Sequence, residues 1–118
     1  MIKEDYVSFE TAKLLKEKEF DGECSRFYMP NGHGRWKYEH YHDFDISDRI
    51  ECPTHQMAMK WLREVHKIFI LIEQHMDMSY MWFTYQDGTW KGCDRQSNNN
   101  SYEEACEVAI KYCLEKLI

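Results

Sequence analysis

The chain has 118 residues and carries 15 Lys and Arg against 21 Asp and Glu, a net charge of −6. That length fits a single domain over 1–118, able to bury a core without disulfides or a structural metal. The acidic balance argues against a phosphate-binding surface, and 43% hydrophobic with 31% charged residues excludes a disordered chain.

The opening stretch MIKEDYVSFETAKLL lacks the apolar core of a secretory signal. No run approaches the ~18 apolar residues of a membrane span. With an odd count of five cysteines and no Cys-x-x-Cys, the expectation is free thiols in a cytoplasmic protein. Cys52 and Cys93 are expected at the surface, and Cys106 and Cys113 in a core.

A first helix is predicted from the N-cap Ser8, with Phe9, Ala12 and Leu15 on one side and Gly22 as the stop. From Arg26 to Tyr41 a hairpin is expected, Phe27-Tyr28-Met29 and Arg35-Trp36-Lys37-Tyr38 flanking a turn at Pro30-Asn31-Gly32. Pro53 and Thr54 announce a second helix reaching His66. Its stripe is Ala58, Trp61, Leu62 and Val65, and Lys60 and Glu64 form an i,i+4 pair.

After that helix the period becomes extended. Lys67 to Glu73, with Ile68, Phe69, Ile70, Leu71 and Ile72, predicts a central strand. A second strand follows over Ser79 to Gln86, then a two-residue turn at Asp87-Gly88, then a returning strand over Thr89 to Arg95. Ser101-Tyr102-Glu103-Glu104 is a capping box that opens a third helix. Tyr102, Cys106, Ala109, Ile110, Cys113 and Leu117 line one side of it, with Glu107 paired to Lys111. The predicted fold is α+β, an antiparallel sheet of three to five strands packed with three amphipathic helices in the order α-ββ-α-βββ-α.

The phrases VSFETAKLLKEKEF, PTHQMAMKWLREVH and SYEEACEVAIKYCLEKLI together resemble small uncharacterised proteins encoded by phages and integrated mobile elements of gut bacteria. The resemblance covers the three helices and implies a cytoplasmic, phage-associated accessory protein. It carries no catalytic or ligand residues with it, and each shared segment is also a capped amphipathic helix on physical grounds alone.

Two constellations carry chemistry. On a strand, His40 and His42 share a face and can both reach one metal, with Asp43 or Asp45 completing the site; such a set suits zinc, iron or manganese. Packing of Trp36 and Tyr38 against the two histidines explains the same pattern without a metal. In the Asp87-Gly88 hairpin, a regular register places Met81, Phe83, Tyr85 and Trp90 on one face, expected to be the core. The opposite face then carries Tyr80, Trp82, Thr84, Gln86, Thr89, Lys91, Cys93 and Arg95. Tyr80, Trp82, Lys91 and Arg95 then form either a contact surface for a partner protein or a second copy, or a face that a helix or the first hairpin covers.

No nucleophile motif and no phosphate-cradling glycine loop is present, and no cofactor is implied. Three readings follow: a non-enzymatic protein acting by macromolecular interaction, a metal-binding protein or metal-dependent enzyme using the His/Asp cluster, and a single-stranded nucleic-acid binder on an aromatic sheet face.

Overall fold

The three predicted helices are set by their caps. In the computed structural model, which describes residues 2–39, 48–94 and 99–118, α1 spans Phe9–Glu17, and the Ser8 side chain accepts from the Thr11 N–H. α2 spans His55–His66 behind Thr54, whose hydroxyl accepts from the Met57 N–H at 3.1 Å. α3 spans Tyr102–Tyr112 behind Ser101, which accepts from the Glu104 N–H at 3.0 Å. The Glu104 carboxylate in turn accepts from the Asn100 N–H. Each cap supplies a partner that the first turn of a helix lacks. α3 continues as a π-helical turn over Cys113–Leu117.

Helix α1 is stopped by Glu19, just beyond its last residue, rather than by Gly22. Glu19 takes φ 65°, and the Phe20 N–H reaches back to the Leu15 carbonyl at 2.9 Å. This left-handed stop normally prefers glycine, so the sequence pointed three residues too far. Lys67 (φ 59°) closes α2 in the same way.

The strands divide into two antiparallel sheets of three. β1 (Arg26–Tyr28) and β2 (Gly34–Trp36) form the expected first hairpin, followed by a 3-10 turn over Lys37–Glu39. A short strand that sequence patterning does not reveal, β3 (Ile50–Glu51), pairs with the other side of β1 and gives the order β2-β1-β3. The second sheet has the order β4-β5-β6, with β4 over Ile68–Gln74, β5 over Tyr80–Gln86 and β6 over Thr89–Cys93. Asp87 (φ 51°) and Gly88 (φ 79°) make the two-residue turn, and Gln86 opposes Thr89 as expected.

The core joins α2 and α3 to the inner face of β4 and β5, while α1 packs on β3 and α3. Ala105, Cys106, Ala109, Ile110, Cys113 and Leu114 of the third helical segment are fully buried. Tyr102 is exposed instead of lying on that stripe. In α2, Ala58, Met59, Trp61 and Leu62 are buried, so the stripe is rotated toward Met59 and Val65 is left in solvent. The expected Lys60–Glu64 pair forms at 3.7 Å.

Candidate interaction surface

The second sheet has one covered face and one open face, and the covered one is the face expected to be open. Register pairs Ile68 with Gln86, Ile70 with Thr84, and Ile72 with Trp82. Opposed residues share a face, so the three isoleucines carry Trp82 and Thr84 inward with them. Trp82 is 5% exposed and lies against the Tyr112 ring at a centroid distance of 4.9 Å. The polar members of this face are each accommodated. The Thr84 hydroxyl donates to the Gly92 carbonyl at 3.0 Å, and Gln86 Nε2 donates to the His66 carbonyl at 3.3 Å.

A bulge at Lys91 also shifts the hairpin register. Tyr85 opposes Trp90 as expected, but Thr84 opposes Gly92 and Phe83 opposes Cys93. Gly92 thus falls on the inner face, where a Cβ would lie 2.5 Å from the Tyr112 Oη. The Tyr112 hydroxyl donates to the Lys91 carbonyl at 3.3 Å. The bulge lets a tyrosine of α3 seat directly on the strand.

The contact surface expected from Tyr80, Trp82, Lys91 and Arg95 therefore does not form as drawn. Trp82 is core, and Tyr80 is half-buried with its hydroxyl accepting from Gln74 Nε2 at 3.2 Å. Lys91 is exposed, and Arg95 lies outside the described residues, as do His40, His42, Asp43 and Asp45. Among the described residues, no group of three or more His, Cys, Asp or Glu is placed to hold a metal ion.

The open face is the apolar one. Phe69, Leu71 and Trp90 stand 49%, 42% and 50% exposed. Met81, Phe83 and Tyr85 fill the space between them and are half-buried. Six large apolar or aromatic side chains on one sheet face form a contiguous patch of the kind that marks an interaction site. Sequence reasoning placed Met81, Phe83, Tyr85 and Trp90 on one face correctly but gave that face to the core.

Along the outer edge of β4, no described residue supplies a ladder partner. The Asp87 N–H donates to the Lys67 carbonyl, and the His75 N–H donates to the Ser79 carbonyl. These bonds fix the phase of the ladder: odd-numbered residues of β4 turn their backbone groups toward β5. The N–H and C=O groups of Ile68, Ile70 and Ile72 point the other way, and no described residue pairs with them. Ile68 and Ile70 are nevertheless buried as whole residues, so this part of the edge is closed to strand addition although it lacks a strand partner.

Comparison with known protein families, curated proteins and solved structures finds no match.

A half-buried carboxylate is the other concentration of chemistry. Glu107 of α3 accepts from the Ser8 N–H at 3.1 Å, the Ser8 hydroxyl at 2.7 Å, the Thr11 hydroxyl, and His55 Nε2 at 2.9 Å. Burial alone would raise its carboxyl, but the bonds from His55, Thr11 and Ser8 outweigh that and hold it at about 2. One side chain thus ties the start of α1 and the start of α2 to α3. The expected Glu107–Lys111 pair is absent because Lys111 instead reaches Glu10 at 3.0 Å.

The order of groups in this cluster differs from that of a nucleophilic triad. A nucleophilic triad needs the histidine between hydroxyl and carboxylate, whereas here the carboxylate lies between Ser8 and His55. A shallow cavity of about 220 Å³ beside His55 is lined by Lys3, Glu4, Asp5 and Tyr102 among others, with no serine or cysteine in its wall. The buried thiols are poor nucleophiles too. Burial pushes Cys24 and Cys113 up to about 12 and Cys106 to about 11. Cys52, expected at the surface, is fully buried, with its thiol directed to the Val7 carbonyl at 3.6 Å.

Proposed function

We propose that this protein acts by binding another macromolecule through the open face of the β4-β5-β6 sheet, and not by catalysis. The observation that carries this reading is the exposure of Phe69, Leu71 and Trp90 on a single face. Water contact with these side chains costs roughly 25 cal/mol per Å² of apolar area, which a partner recovers by covering them. The net charge of −6 favours a protein partner over a polyanion. The separation of Ser8 from His55 by a carboxylate, and the raised thiols, support the non-enzymatic side of the reading.

The test is a triple variant, Phe69→Ser, Leu71→Ser and Trp90→Ser, compared with the natural chain in affinity capture from native host cells. The expected result is an unchanged or raised thermal midpoint together with loss of specifically bound protein. A strongly destabilised variant, or an unchanged set of bound proteins, would overturn the reading.

A further inference from the structure

We propose that the groove between the N-terminal segment and the first hairpin binds a small organic anion, a carboxylate or phosphate carried on a flat aromatic ring. The groove lies on the first sheet, and the inference does not rest on the open face of the second.

The cation comes first. Arg26 opposes Trp36 across the β1–β2 ladder. Its guanidinium lies over the Trp36 ring, 4.8 Å from the centroid, and over the Tyr6 ring at 5.9 Å. The two rings meet nearly at right angles, 5.5 Å apart. Gly34 of β2 makes room for the group, since a Cβ there would collide with Arg26 Nη2. Ring contacts hold a guanidinium by its faces and leave the in-plane N–H donors for other partners. Arg26 is half-buried, yet no described carboxylate lies within ion-pair distance of it. Glu51, on the neighbouring strand β3, is already taken by Lys37 at 2.8 Å and Arg49 at 3.6 Å. The guanidinium also borders the Cys52 thiol, which burial keeps neutral and which is a weak acceptor. A fixed guanidinium without a counter-ion offers a bidentate seat to a carboxylate or phosphate.

The walls define the rest of the ligand. The groove has a volume of about 520 Å³ and is lined by Lys3, Glu4, Tyr6, Arg26, Tyr28 and Trp36. Small-molecule sites usually enclose roughly 300–1,000 Å³, with mostly apolar walls and few polar groups. The aromatic walls are anchored from behind. The Tyr28 hydroxyl donates to the Val7 carbonyl at 2.8 Å, and its ring meets Phe9 edge-on at 5.4 Å. Trp36 stacks on Tyr38 at 6.0 Å. Rings fixed in this way lose little freedom when a second flat ring packs on them. Lys3 and Arg26 set two positive charges against the single negative charge of Glu4. One anionic head is therefore attracted, whereas a polyanion meets the net charge of −6 beyond the groove.

Isothermal titration of the full chain with phenyl phosphate and with phenylacetate tests this, against inorganic phosphate and benzyl alcohol. Saturable one-to-one binding is expected for at least one aromatic anion, and the tighter of the two assigns the head group. Inorganic phosphate lacks the ring and benzyl alcohol lacks the charge, so each should bind at least about tenfold more weakly. Arg26→Gln should weaken the aromatic anion by about 10–100-fold, and Arg26→Lys, which keeps the charge but not the fork, should recover only part of that. Gly34→Ala tests the same point with the arginine retained, because the added methyl pushes the guanidinium out of its seat. Thermal midpoints of all three variants show that each is folded at the titration temperature. In amide and side-chain nitrogen spectra, the Trp36 indole and Arg26 Nε–H signals should shift on binding, and those of Trp61, Trp82 and Trp90 should stay in place. Four results would each overturn the inference: no saturable binding of either aromatic anion, equal binding of inorganic phosphate or benzyl alcohol, affinity unchanged in folded Arg26 and Gly34 variants, or shifts centred on Trp90 instead of Trp36.

Discussion

Replacing Glu107 with glutamine tests how the three helices are held together. The carboxylate receives four hydrogen bonds, from Ser8 N–H, Ser8 Oγ, Thr11 Oγ1 and His55 Nε2. Glutamine keeps the shape but removes the charge, and it turns an NH₂ group toward a donor. Breaking one side of a largely buried ionic cluster costs about 3–5 kcal/mol. The pH dependence is more specific. The folded carboxyl sits at about 2, below its usual 4.5, so its stabilisation is complete above about pH 4.5 and is lost as pH falls toward 2. Allowing for a side chain one-quarter exposed, the gap between natural and Glu107→Gln proteins narrows by about 1–2 kcal/mol at pH 3. Urea titrations at pH 7 and pH 3, followed by tryptophan fluorescence, measure both. A loss under about 0.5 kcal/mol at pH 7, or an equal loss at both pH values, would refute the reasoning. Removing the exposed Lys111–Glu10 pair by Lys111→Met provides the contrast and should leave the urea midpoint nearly unchanged.

Trp82→Ala should cost about 3–5 kcal/mol, measured by chemical denaturation, because the ring is core; a near-neutral change would return it to the surface. Gly92→Ala should destabilise by about 1–3 kcal/mol by pushing Tyr112 off the strand, and Gly92→Ala combined with Tyr112→Phe should recover part of that loss in the same assay. Ile110→Ala should cost about 2–5 kcal/mol and Ser101→Ala about 0.5–2 kcal/mol, so denaturation midpoints that move equally little would show α3 to be peripheral. Thiol labelling of native protein should modify Cys93 quickly and the four buried cysteines only on denaturation; rapid labelling of all five would contradict the packing.

What the sequence disclosed was local. Ser8, Thr54 and Ser101 announced three helices because a cap acts within one turn. Asp87-Gly88 announced the hairpin because few residue pairs accept positive φ twice. What it concealed was tertiary. From Ile68 to Ile72 every residue is apolar, so alternation cannot say which side faces inward, and the polar Thr84 and Gln86 misled because their partners, Gly92 and His66, come from other elements. The bulge at Lys91 has no signature in composition. Glu107 looked like the i,i+4 partner of Lys111, but Ser8 lies 99 residues away and supplies two of the bonds that hold it. The open face was legible as a set of four residues; its exposure was not.

The account depends most on Phe69, Leu71 and Trp90 standing in solvent on one sheet face. Hydroxyl-radical footprinting of dilute protein, read residue by residue by mass spectrometry, addresses that directly. Phe69, Leu71 and Trp90 should oxidise quickly and the buried Trp82 slowly. Adding a captured partner should protect the first three and leave Trp82 unchanged. Slow oxidation of Phe69 and Trp90 at high dilution would mean that the face is already covered within the chain, and would contradict the account.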